Sequence, residues 1–212
     1  VLKISEIVET IVRADDDALI AFQRGIVNLS GYARSIRAQV ESQLFKDVDE
    51  RSIVVALSRM QHRLVSEHRV PQIRLSAISI HSNLSDIGFE KTKVNIDRIQ
   101  EVYVAQTNEA DKFITITQSV NEVNVIANEE LVNQIKKLVN STPTLYKSGL
   151  TGITTKFGRE YLDIPNVIYE ITRSLAVKNI NIIEIISTTS ELTFIIDKAE
   201  AEIALKQLQK FL

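Results

Sequence analysis

The chain has 212 residues, 44% hydrophobic and 25% charged, with a net charge of −2, the make-up of an ordinary globular protein of one or two domains. Its 6 Gly and 3 Pro are too few for a disordered or collagen-like chain, and the lack of Cys excludes disulfides, Cys-ligated metals and a cysteine nucleophile. The balanced charge gives no global basic field, 6% aromatics without Trp give no base-stacking surface, and no apolar run approaches the ~20 residues of a membrane span. A cytoplasmic protein without leader peptide or membrane partner is expected, its natural start upstream of Val1.

Residues 1–68 read as a helical domain. Ile4, Ile7, Val8 and Ile11 recur at helical spacing. Asp15, Asp16 and Asp17 offer a cap and an acidic first turn to a second helix, which turns Leu19, Phe22 and Ile26 inward and meets Gly25 at its end. Three adjacent carboxylates at a helix start point in different directions, so no metal is expected there. Asn28 or Ser30 caps a third helix, burying Ala33, Ile36, Val40 and Leu44. Asp49 caps a fourth, burying Ile53, Leu57, Met60 and Leu64. The run from Asn28 to Arg37 resembles the turn and recognition-helix start of a helix-turn-helix, which makes Tyr32, Arg34 and Arg37 the candidate DNA contacts. Against this, residues 1–70 hold ten basic and ten acidic side chains, whereas DNA-binding domains are basic on one face; a protein-docking or dimerising bundle is the competing reading.

After Pro71 the texture changes. Residues 73–80 and 84–90 read as strands, with His81, Ser82 and Asn83 as a polar turn between them. A helix over 94–106, strands over 113–120 and 123–127 around Asn121-Glu122, a helix over 129–139 and a strand near Thr142–Tyr146 follow. The order then restarts: a strand over 149–157, a helix with Pro165 in its first turn carrying Ile168, Ile171 and Leu175 and ending at Asn179, strands over 181–187 and 192–197, and a helix over 198–211 through Ala201, Ala204, Leu205 and Leu208. Strand–helix–strand–strand–helix, twice, predicts an α+β class with helices on one face of antiparallel, ferredoxin-like sheets.

Three stretches carry a resemblance. Asp163-Ile164-Pro165-Asn166-Val167 opens a helix; Asn179-Ile180-Asn181-Ile182 leads into Ile185-Ile186-Ser187-Thr188 and then Ser190-Glu191; Asp197-Lys198-Ala199 enters the last helix. With these, residues 149–212 resemble an ACT domain, the small-molecule regulatory module, most nearly the last one of aspartokinases. Residues 84–147 share only the element order. The resemblance implies two βαββαβ domains, interleaved so that an early strand completes the later one: residues 84–147 form the first, and 73–80 with 149–212 the second. An unfilled sheet edge is a liability, which favours this use of 73–80. The kinase domain has no counterpart. Lys156-Phe157-Gly158 echoes its nucleotide segment but ends a strand instead of entering a helix, and residues 1–68 are too short for a kinase lobe.

The resemblance also implies a ligand site where the first strand's loop meets the first helix: Leu162, Asp163, Ile164, Pro165, Asn166 and Val167, with Asn181 and Ile182 beside them. Free N–H groups at a helix start hold a carboxylate, and Asp163 is the expected partner of an α-ammonium. The family carries Gly where Asn166 stands. In the first repeat Lys91-Thr92-Lys93 has neither Gly nor Pro, so that repeat is expected to be structural. No catalytic motif is present: His62 and His68 fall on opposite helix faces, His81 in a turn, all three at the surface. The expectation is a non-catalytic, cofactor-free regulatory protein, at least a homodimer through sheets joined side by side. Its ACT pair is expected to sense a small molecule, an amino acid, and to control a helical domain whose partner is DNA or protein. The alternative is a ligand-free subunit docking onto an enzyme of amino-acid biosynthesis such as aspartokinase.

Overall fold

The computed structural model describes residues 3–67, 72–106 and 112–212; His68 and Pro71 lie outside them. The chain forms two compact units, Val1–Val70 and Pro71–Leu212.

The first unit holds four helices, α1 (Ile4–Ala14), α2 (Asp16–Gln23), α3 (Leu29–Leu44) and α4 (Glu50–Glu67). Side chains start three of them by satisfying N–H groups that no helical carbonyl reaches. Asp15 accepts from Ala18 N–H at 3.0 Å, Asn28 from Gly31 N–H at 3.0 Å and Asp49 from Arg51 N–H at 2.9 Å. Ile7, Val8, Phe22, Ile36, Leu57 and Leu64 meet in one core, each side chain worth about 1.5–3 kcal/mol of burial. Ile26 is not in it. α2 stops at Gln23, Gly25 takes a left-handed turn at φ 69°, and Ile26 is left 70% exposed.

The second unit is a six-stranded antiparallel sheet in the order β2-β3-β1-β4-β6-β5. Its strands are β1 (Leu75–Glu90), β2 (Ile114–Gln118), β3 (Glu122–Asn128), β4 (Leu145–Phe157), β5 (Ile182–Ser187) and β6 (Glu191–Asp197). Its helices are α5 (Lys93–Gln106), α6 (Glu129–Val139), α7 (Val167–Ala176) and α8 (Ala201–Leu208). His81-Ser82-Asn83 is no turn: β1 runs straight through it. Likewise the strands expected near 142–146 and 149–157 are one, β4. Each long strand has a left-handed residue, Asn83 (φ 57°) and Gly149 (φ 72°), where the β1–β4 register shifts as a bulge requires. The C-terminal half of β1 pairs with β3 from Leu84↔Asn128 to Glu90↔Glu122. Its N-terminal half pairs only with the distal half of β4, from Leu75↔Phe157 to His81↔Gly152. That half of β4 in turn pairs with β6. The two ferredoxin-like halves are therefore interleaved, each completed by a strand that continues from the other.

Each half has its own helix-covered core: Ile87, Val125, Leu131 and Ile135 in the first, and Ile153, Ile171, Leu175 and Phe194 in the second. Leu84, Ile126, Leu150 and Ile195 form a third cluster without any helix residue. β2 and β5 end the strand order on opposite sides, yet Thr117 of β2 donates to Glu184 of β5 at 3.1 Å. The sheet thus curls so that its helix-free faces close on each other. This explains why Leu84 to Phe89 are all buried: helices cover one face and the other half-sheet covers the other. No described helix is long and apolar enough to cross a membrane.

Candidate functional site

The segment between β4 and α7 is nine residues long, against two between β1 and α5, and this difference builds a cavity. β4 ends at Phe157, and Arg159–Asp163 make a 3₁₀ turn. Pro165 disfavours helix at the residue before it, so Ile164 is extended at φ −97°, ψ 117°. Asn166 is left-handed at φ 70°, and α7 starts at Val167 rather than at Pro165. The cavity, of about 330 Å³, opens between this loop, the first turn of α7 and the ends of β5 and β6. Phe157, Tyr161 and Tyr169 are its aromatic walls. Leu162, Ile164, Val167, Ile168 and Leu192 are its aliphatic ones, and Asn166, Ser187 and Thr188 supply the polar lining. Among the described residues, no charged side chain lines it.

Leu162, Ile164, Asn166 and Val167 of the sequence-derived set come together here. Asp163 and Pro165 are exposed on the same loop and do not line the cavity; neither does Asn181, which is exposed at the start of β5, nor Ile182, which packs on the second core. Ile168, carried on α7 with Ile171 and Leu175, stands 52% exposed at the rim. Phe157, Tyr169, Ser187, Thr188 and Leu192 were not assigned to the site. The signal for them is register: Ser187 lies opposite Leu192 and Phe157 N–H donates to Ser190 C=O at 2.9 Å, so the β4 and β5 ends must flank one space.

The two repeats treat the start of their first helix differently. In the first, Thr92 Oγ1 accepts Asn95 N–H at 3.2 Å, and buried Asn95 donates to Glu90 C=O at 2.8 Å and accepts from Ser141 Oγ at 3.3 Å. Lys91 Nζ closes the turn onto Ser119 C=O at 2.9 Å. In the second, the Asn166 side chain makes no capping hydrogen bond, and the first turn of α7 opens on the cavity. Asn166 holds the left-handed conformation that glycine adopts freely and that Asn tolerates best among other residues.

In the helical unit, the ring of Tyr32 packs edge-on against buried Phe22 with centroids 5.3 Å apart. Arg34 lies 3.7 Å from Glu50 and Arg37 2.8 Å from Glu41. Val48 N–H and then Arg37 hold the Glu41 carboxyl below its usual range. Both guanidiniums are thus engaged by carboxylates of their own unit. His62 is exposed. His81 is half-buried inside β1 rather than in a turn, its ring 4.8 Å from that of Phe113; burial lowers its pKa against the opposing pull of Glu191. Asp86 lies in the seam between the half-sheets at 2% exposure with Oδ1 unpartnered; burial, then the charge of Glu184, pushes it up to about 6. Among the described residues, no group of three His, Asp or Glu is placed to hold a metal.

No protein-family model matches the sequence, and no curated protein does. Solved structures do. Aspartate kinase of Clostridium acetobutylicum, described as an allosteric enzyme, superposes with a TM-score of 0.52 at 13% identity over 69% of this chain and 37% of its own. The aspartokinase alpha and beta subunits give 0.50 at 16% identity over 65% of this chain and 97% of theirs. The regulatory subunit of aspartate kinase from Thermus thermophilus, in its ligand-free form, gives 0.51 at 12% identity over 65% and 98%. The chain thus spans little more than a third of the whole kinase but nearly all of the regulatory subunit. At these identities the likeness establishes the fold: the chain carries the fold of the aspartokinase regulatory region, two interleaved ACT-type domains.

Proposed function

We propose that the chain is a non-catalytic, cytoplasmic regulatory protein whose second ACT-type domain takes an amino acid in the cavity beside α7 and thereby alters how the helical unit engages its partner. The carrying observation is the contrast between the repeats: the first closes its helix start with Thr92 and Asn95, whereas the second leaves that of α7 open on a cavity. Uncapped N–H groups at a helix start suit a carboxylate. The uncharged lining suits an uncharged side chain, because a buried lone charge is costly. A ligand acts only through different affinity for two arrangements of the protein. Thermal denaturation with each of the twenty amino acids tests this; a ligand at 100 times its Kd adds about 2.7 kcal/mol. A raised midpoint with one or more uncharged amino acids is expected, and no shift with any sinks the reading.

The exposed apolar rim favours a second reading, a ligand-free docking or dimer surface. Leu162 and Ile168 stand more than half exposed at the cavity mouth, and Ile185 is 41% exposed on β5, an edge strand. An apolar edge strand is a template for pairing, and a homodimer through β5 is expected under either reading. Light scattering on wild type and Ile185→Lys checks it: a dimer that the variant turns into monomer supports the edge contact, and an unchanged mass removes it.

A further inference from the structure

The wall of the cavity is tied to a distant part of the chain by one hydroxyl. Tyr161 Oη accepts the N–H of Arg74 at 2.9 Å and donates to the carbonyl of Gln72 at 3.0 Å. In extended backbone the C=O of one residue and the N–H two residues on point to the same side, and a neighbouring strand would normally take both. β4 does not: its ladder with β1 ends at Leu75↔Phe157. The Tyr161 hydroxyl therefore stands in for a strand partner just beyond that end. Between the two bonded residues, Ile73 is buried in the second core, so residues 72–74 are held from both sides. In sequence, residues 72–74 open the second unit, Pro71–Leu212.

Resting on the reading that the cavity takes a small molecule, we infer that Tyr161 is a positioning residue that couples occupancy of the cavity to the backbone of residues 72–74. Its ring is a cavity wall, set edge-on to Phe157 with centroids 6.3 Å apart and planes at 81°. To release Gln72 and Arg74 the hydroxyl must swing away, which moves the ring toward the open space of the cavity. An occupant fills that space, restricts the ring and holds the clamp shut; an empty cavity lets it open. The device is a difference in local opening, not a change of fold.

The test needs no knowledge of the natural ligand. The chain has no Cys, so Ile168→Cys sets a single thiol at the rim, and benzyl methanethiosulfonate then fills the cavity covalently, complete labelling being confirmed by mass. Amide exchange at Arg74, followed by NMR on the full chain, is expected to slow at least about fivefold on labelling, in proportion to the lost local opening. Tyr161→Phe, which keeps the ring, speeds Arg74 exchange by itself, and Ile168→Cys with Tyr161→Phe shows no slowing when labelled. No slowing in the Tyr161 background, equal slowing in both, or unaltered Arg74 exchange in Tyr161→Phe overturns the coupling. Silence of the amino-acid panel would remove the ligand class and leave this result standing, so the two readings fail separately.

Discussion

Leu84 of β1 lies directly across from Leu150 of β4, both fully buried, and each follows a residue in the left-handed conformation, Asn83 and Gly149. The two long strands thus share one local design, and these left-handed residues flank the apolar seam between the half-sheets. A Cβ at Gly149 would meet no atom within 4 Å, so the cost of Gly149→Ala is conformational alone, about 1–2 kcal/mol. Urea denaturation should show that loss, and a smaller one for Gly149→Asn, the residue type used at the matching position.

Asp86 makes stability depend on acidity. Its folded-state pKa, about 6, lies above the ordinary value of 3.8, so the folded protein binds more protons between those values. Its contribution is fully favourable below about pH 3.8, declines as pH rises to about 6 and is flat above. The charge acting on it is that of Glu184 on β5, and its register partner on β4 is Lys147. Asp86→Asn is expected to raise the denaturation midpoint at pH 7 and to remove the decline between pH 3.8 and 6, read from midpoints across that range. A lower midpoint at pH 7 would show that the ionised carboxylate is held by a favourable partner.

Most elements were legible because their signals are local. Ile53, Leu57, Met60 and Leu64 repeat at helical spacing, and all four are buried. The pairing of residues 75–80 with β4 agrees with the expectation that residues 73–80 fill a sheet edge. What stayed hidden depends on long-range packing. His81-Ser82-Asn83 reads as a turn because a bulge uses the same polar residues as a turn does. For Asp86, nothing local announces that a second half-sheet will cover it. At the site, the loop was legible through Pro165, but Ser187 and Leu192 join it only through strand register, and Asp163 lies outside the cavity because the 3₁₀ turn faces it to solvent.

Asn166 replaces a glycine expected by resemblance while keeping the backbone that glycine would adopt. Asn166→Gly is therefore expected to change stability by less than about 1 kcal/mol. Asn166→Val places a β-branched residue where φ is positive and should cost about 1–2 kcal/mol. Thermal melts of both variants check this ordering, and equal losses would show that the Asn side chain, not its backbone, matters.

Arg34 and Arg37 pair with carboxylates at the surface of the helical unit, where water and salt screen the attraction. Arg34→Ala with Arg37→Ala should shift the thermal midpoint only slightly and leave the migration of genomic DNA in a gel unaltered. A salt-dependent shift that the double variant loses would return these residues to a nucleic-acid interface.

Because β1 and β4 each serve both halves of the sheet, no single cut within residues 75–212 separates the sheet unit into two self-sufficient pieces. Cleavage between β3 and β4 would leave fragments still zipped along their shared ladder, and either one made alone would lack a quarter of its sheet. Partial loss of one half exposes the seam of the other, so damage at either end is felt as failure of the whole sheet.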